Sequence, residues 1–169
     1  MSTNTETPSA IPVILLGEFE TTAKAFSEAI LPDFEVVYLS TIPDLAIKAL
    51  PSVLRGQAPA YLQPSDKAKL ETASSAPKAI IIAGPAFDDV FITNAQQTIA
   101  AAADDLHVPF FKREDNGLII DGAGSADAVA VAVAKTPDIE ELAARVVKVL
   151  KKAVEEGKLE GEDDGVYVY

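Results

Sequence analysis

The stretch Lys78-Ala-Ile-Ile-Ile-Ala-Gly84 has no polar residue between its ends. A strand with one face in water alternates apolar and polar side chains, because successive side chains point to opposite faces of the sheet. A run that is apolar on both faces must be covered on both. Pro12-Val-Ile-Leu-Leu-Gly17 has the same character, and Phe34-Glu-Val-Val-Tyr-Leu39 nearly so. Such strands belong to parallel sheets sandwiched between helices. Between the runs the apolar spacing becomes helical. Ala23, Phe26, Ala29 and Ile30 fall on one face of a helix over Thr21–Leu31, which Thr21 or Thr22 can cap and Pro32 ends. A second helix is expected over Pro43–Arg55, capped by Ser40 or Thr41, interrupted at Pro51 and stopped by Gly56. A third covers Asp88–Leu106 and a fourth starts at Pro137, with Asp138, Glu140 and Glu141 in its first turn, and runs to about Glu156 before Gly157.

Strand, helix, strand, helix in alternation is the pattern of right-handed βαβ units. The expected fold is therefore α/β, a three-layer α/β/α arrangement around a mainly parallel sheet, flavodoxin-like or Rossmann-like. Pro109-Phe-Phe-Lys112 supplies a short fourth strand. Asp115-Asn-Gly117 reads as a turn with Leu118–Ile120 as a hairpin partner. The Ala/Val alternation over 125–134 fits a strand or a buried helix equally. The boundaries that follow are a disordered leader over 1–10, one α/β domain over 11–157, and an acidic tail over 158–169. Within the domain, 57–77 is a long Pro- and Ser-containing loop. The tail ends in Val166-Tyr-Val-Tyr169, whose β-propensity suits a strand added to a sheet edge, in this chain or in a partner or homodimer. A frayed terminus is the plain alternative.

The chain has 169 residues and a formal net charge of −12, a surface that repels phosphate backbones and so argues against nucleic acid and anionic membranes. It has no Cys, which excludes disulfides, thiolate metal sites and a Cys nucleophile. No apolar run reaches the length of a membrane span, and no signal peptide is evident. A cytoplasmic location is the expectation, with the nucleus equally compatible. Lys148, Lys151 and Lys152 form the one basic cluster, at the end of a helix where the dipole favours cations.

In folds of this class ligands bind outside the C-terminal ends of the strands. With strand order 2-1-3-4 that edge carries Gly17, Glu18 and Glu20, then Ser40 and Thr41, then Gly84, Asp88 and Asp89, then Lys112 and Arg113. Loop 1 lacks the G-x-G-x-x-G of a dinucleotide site and the G-K-[ST] of a P-loop, and Glu18 and Glu20 stand where phosphates would lie. A conventional NAD or ATP site on loop 1 is thereby disfavoured. Glu18, Glu20, Asp88 and Asp89 could converge on a hard cation; equally, they could be acids in helix first turns. His107, the one imidazole, reads as a surface residue or a general base, and Gly122-Ala-Gly124-Ser125 as a plain loop or an anion-binding turn. Arg55 could reach an anion or simply sit before the Gly56 stop.

Pro137-Asp-Ile-Glu-Glu-Leu-Ala-Ala-Arg-Val-Val is similar to the last helix of response-regulator receiver domains. Ala83-Gly84 stands where a receiver has its phospho-acceptor Asp, so that resemblance implies a fold rather than phosphotransfer. Val13-Ile-Leu-Leu-Gly-Glu18 resembles the first strand of the substrate domain of fungal 2-hydroxyacid dehydrogenases, without the cofactor domain such enzymes use. In order along the chain, Pro12–Gly17, Leu31–Tyr38, Leu50–Gly56, Ala79–Gly84 with Phe87-Asp-Asp89, and Val154–Leu159 resemble a group of small fungal single-domain proteins of unknown function. That resemblance implies a cytosolic or nuclear protein with a Rossmann-like fold and no particular activity. Two function classes follow: a non-catalytic module that binds a small ligand or a protein, and an enzyme or cation-binding domain working at the acidic strand edge.

Overall fold

The structure is a computed structural model that describes residues 10–17, 20–57, 76–84, 87–102, 104–113, 139–160, 163 and 165–169. The three apolar runs form β1 (Ile11–Leu16), β2 (Phe34–Ser40) and β3 (Ile80–Ile82). They are joined by α1 (Glu20–Ala29) and α2 (Pro43–Leu54). Then come α3 (Asp89–Ala102), β4 (Phe110–Lys112), α4 (Ile139–Glu155) and β5 (Val166–Val168). All five strands are parallel, in the order β2-β1-β3-β4-β5. That is the flavodoxin-like order.

Period-two alternation sorts the strand side chains into two layers. Ile14, Leu16, Ile80, Ile82 and Phe110 pack against α2 and α3. Val13, Leu15, Ile81 and Phe111 pack against α1 and α4. The β1–β2 register slips at Val37, so Val13 lies opposite Val36 and Ile14 opposite Tyr38. Val37 and Tyr38 consequently both enter the α2/α3 layer. On α4, Leu142, Ala143, Val146, Leu150 and Ala153 form the buried stripe. Each large aliphatic side chain removed from water there contributes about 1.5–3 kcal/mol.

Several local expectations change. α2 runs unbroken through Pro51, losing one backbone hydrogen bond but keeping Leu50 and Val53 buried. Its N-cap is Ile42, with no side-chain cap. The Ser40 hydroxyl instead closes a turn on itself, accepting from the Ile42 N–H at 3.4 Å. α1 begins at Glu20, which places Thr21 and Thr22 inside it rather than ahead of it. Gly56 and Gly157 do stop their helices, at φ 74° and 73°. The hairpin at 118–120, the 125–134 alternation and Gly122–Ser125 lie outside the described residues, as does most of the 57–77 loop.

Steps outward from β2 to β3 and from β3 to β4 carry α2 and α3 on one face, as right-handed crossovers require. α4 lies beside α1 on the opposite face. No helix among the described residues is long and apolar enough to cross a membrane.

Ile81 is fully buried at the centre of the sheet. Ile81→Ala should lower unfolding free energy in urea by about 2–5 kcal/mol. Val90→Ala, at a position 67% exposed, should change it by no more than about 0.5 kcal/mol.

Candidate functional site

Parallel strands bring all their C-terminal ends to one edge, where Gly17, Ser40, Thr41, Gly84, Asp88, Asp89 and Lys112 lie among the described residues. At the ends of β1 and β3 the described backbone is packed in ordinary contact. Gly17 is buried, its N–H donates to the Ser40 carbonyl at 3.1 Å, and a Cβ built on it would lie 3.8 Å from that of Ala83. Gly84 is buried too, and its carbonyl accepts from the Phe87 N–H at 3.2 Å. Phe87 turns inward and packs edge-on against Phe91, with ring centroids 4.9 Å apart. Ser40 is buried in its own turn and Thr41 is half-buried beside it.

The two aspartates come together in sequence but do separate work. The Asp88 carboxylate accepts from the Phe91 N–H at 2.9 Å, which makes it the N-cap of α3. Asp89 turns away and pairs with Lys112 of β4 at 2.6 Å, its side chain 76% exposed. Glu18 lies outside the described residues, and so does the Glu20 side chain. Among the described residues no three His, Asp or Glu side chains gather in a way that could hold a metal ion. Arg55 donates to the Ala102 carbonyl at 3.0 Å and ties the end of α2 to the end of α3. Lys151 pairs with Asp33 at 3.1 Å, fastening α4 to the turn before β2. His107 is exposed beside α3.

The tail is the part of the site that sequence leaves undecided. It forms β5, in register with β4 from Phe110–Val166 to Lys112–Val168. Tyr169 follows, buried, with its N–H donating to the Lys112 carbonyl at 2.9 Å. Its hydroxyl crosses beneath β4 and donates to the Ile82 carbonyl at 2.7 Å. A carbonyl at the end of β3, where a ligand of this fold class would look for one, is thus capped by Tyr169.

A small polar knot holds the approach to β5. Asp163 accepts from the Tyr167 hydroxyl at 2.7 Å and from the Gly165 N–H at 2.7 Å. A Cβ at 165 would lie 2.7 Å from the Tyr167 hydroxyl oxygen and 2.9 Å from the Asp163 carboxylate, so a side chain there would push the two partners of the knot apart. The Tyr167 ring stacks at a tilt on Phe111, 5.5 Å between centroids, and Lys158 stands 4.4 Å over its other side. Lys158 also pairs with Glu156. The Tyr167 hydroxyl holds Asp163 below the usual carboxylate range, helped by the Gly165 N–H and by Lys158. The same hydrogen bond pushes Tyr167 up. The signal in sequence is the Asp163-x-Gly165-x-Tyr167 spacing, an Asx turn feeding a strand.

Alongside the knot, a groove of about 360 Å³ runs between α4 and the outer edge of β5. Val149 and Ala153 form its apolar wall, Tyr167 its floor, and Lys152, Glu156 and Lys158 its rim. Comparison with protein-family models, with curated proteins and with solved structures finds no match for this chain.

Asp88→Ala should cost about 0.5–2 kcal/mol of stability through the lost cap, while Asp89→Ala should cost about 1 kcal/mol or less. Equal losses in denaturant titrations would contradict the division of labour. The pH dependence of the tail follows from the paired shifts. Asp163 has a lowered folded pKa, so its contribution is present above about pH 4 and lost as pH falls through that folded value. Tyr167 has a raised one, so its contribution is present below about pH 10 and lost as pH rises through it. Tyrosine circular dichroism in the near ultraviolet should hold level from about pH 5 to 9 and fall on both sides. Asp163→Asn should remove the acid limb; an unchanged limb would place that transition elsewhere.

Proposed function

We propose that this chain is a non-catalytic interaction domain whose outer sheet edge, at β5, docks a protein partner. The observation that carries the reading is the groove between α4 and β5, lying beside a strand that is the edge of the sheet among the described residues. The Phe110 N–H bonds to the Gly165 carbonyl and the Tyr169 N–H to the Lys112 carbonyl. These bonds set the phase of β5: residues 165, 167 and 169 face β4, so the N–H and C=O of Val166 and Val168 point outward. Their side chains are 41% and 49% exposed. A row of outward N–H and C=O groups next to an apolar groove is the arrangement used for strand addition, in which backbone bonds give affinity and the groove selects side chains.

The customary ligand edge supports the same reading from the other side. Its glycines are packed, Phe87 is turned into the core, the Ile82 carbonyl is capped, and its two aspartates are committed to a helix cap and an ion pair. Polar groups waiting for a substrate would be expected to converge on a shared space.

The test is photo-crosslinking in a lysate of the source cells, with the reactive side chain placed at position 166 or, as a control, at the exposed position 90. Adducts are expected from 166 and not from 90. They should vanish when Val168→Pro removes an outward N–H while leaving the inward ladder of β5 intact. An absence of adducts from 166 would end the reading.

A further inference from the structure

We infer that β5, with Asp163 and Gly165 ahead of it and Tyr169 after it, is a strap that leaves β4 and returns to it as one piece while the rest of the sheet stays folded. The inference does not depend on the docking reading. Its first ground is the place where the fixed structure ends. Gly157 donates to the Val154 carbonyl at 3.1 Å, and the Lys158 N–H donates to the Ala153 carbonyl at 2.9 Å. Those two bonds complete the C-terminal cap of α4 without using β5. Leu159 then enters the layer that α4 shares with α1, where it is buried. α4 itself is held to the body by its buried stripe, by α1 beside it and by the pair of Lys151 with Asp33. The chain up to Leu159 is therefore anchored independently of the strap.

The second ground is how the strap is fastened. Some of its bonds are internal: Asp163 holds the Gly165 N–H and the Tyr167 hydroxyl, partners two and four residues along. These bonds travel with the strap and keep its shape when it lifts. The bonds that cross to the body follow β4. The Phe110 N–H donates to the Gly165 carbonyl at one end, and the Tyr169 N–H to the Lys112 carbonyl at the other. Between them the Tyr167 ring lies on Phe111 under the Lys158 ammonium. The Tyr169 hydroxyl reaches past β4 to the Ile82 carbonyl. β1 and β3, by contrast, are paired on both sides and buried on both faces. Short units with little buried surface open at lower free energy than core strands, and the bonds of one unit open together. Because the knot ties Gly165 to Tyr167, the two ends of this short ladder give way in one step. Lifting the strap bares Phe111, the outer side of β4 and the Ile82 carbonyl in the same movement.

Native-state amide hydrogen exchange of the full chain, read by NMR near neutral pH across a series of low urea concentrations, tests this. Two N–H groups report on the strap: that of Tyr169, and that of Phe110, which belongs to β4 but bonds to the Gly165 carbonyl. The N–H groups of Ile80 and Ile14, bonded to the Pro109 and Ala79 carbonyls, report on the body. Phe110 and Tyr169 are expected to share one opening constant, about a hundredfold or more above that of Ile80 and Ile14. That constant should change little with urea, since the opening exposes little surface. Leu50→Ala, in the opposite layer, removes packing that survives the strap's release and is lost only on full unfolding. It should speed Ile80 and Ile14 by about thirtyfold or more and leave Phe110 and Tyr169 unchanged. Ile92→Val, a milder change in the same layer, should do the same by roughly fivefold and serves if Leu50→Ala does not fold. Tyr169→Phe removes a bond lost in both openings, so it should speed all four by roughly tenfold. If Tyr169 alone exchanges fast while Phe110 follows Ile80 and Ile14, the segment merely frays. If all four share one constant, the sheet opens as a whole. Either result overturns the inference.

Discussion

Covering both faces of β1 and β3 is the requirement on which the rest of this molecule depends. Neither strand has a polar side chain pointing either way along its buried length: Ile14 and Leu16 go to one layer, Val13 and Leu15 to the other, and the three isoleucines of β3 divide likewise. Two hairpin-linked sheets would leave one face wet. Helical crossovers on both sides satisfy the requirement, and they force the strands to be parallel. Parallel strands in turn gather their C-terminal ends on one edge. The position of the candidate site is therefore a consequence of the core, independent of any chemistry placed there.

The same requirement relaxes toward the ends of the sheet, and the two ends meet it differently. The β2 end carries a register slip at Val37, with Glu35 half-buried and Asp33 held by Lys151 nearby. Bulges and charges are the usual means of keeping an edge strand from recruiting another. β5 has neither within it. Val166, Tyr167 and Val168 are uncharged and in unbroken register with β4. Only shortness limits this edge, together with the acidic segment that leads into it. Among the described residues the two ends of the sheet therefore differ in how they are protected.

Much of this architecture is legible in the residues, for reasons that differ by element. The continuous apolar runs announce strands buried on both faces, and handed crossovers then leave little freedom in the order of β2, β1, β3 and β4. The loop chemistry is legible too, because a missing glycine pattern is visible without coordinates. Other features depend on contacts distant in sequence. Arg55 finds the Ala102 carbonyl across 47 residues, and Tyr169 finds the Ile82 carbonyl across 87. Propensity cannot separate a frayed Val-Tyr-Val from an added strand, since the difference lies in Phe111 beneath Tyr167 and in Asp163 behind it. Caps fail for a related reason. Ser40 has the right residue type two positions ahead of Ile42, but its hydroxyl is drawn into the turn at the end of β2 before α2 begins.

Tyr169 joins the two ends of this account. The strand that provides the outer edge continues into the residue that caps the Ile82 carbonyl at the customary ligand edge. The two surfaces are coupled through a single short segment. With β5 in place, the outward groups of Val166 and Val168 are ordered for pairing and the carbonyl of β3 is closed. With β5 displaced, Phe111 loses the Tyr167 ring and the Ile82 carbonyl loses its buried donor. A buried carbonyl left without a partner costs about 1–3 kcal/mol, which favours the docked tail without making it permanent. The strand that completes the described sheet thus also reaches the end of β3, and the knot of Asp163, Gly165 and Tyr167 is what holds that strand in place.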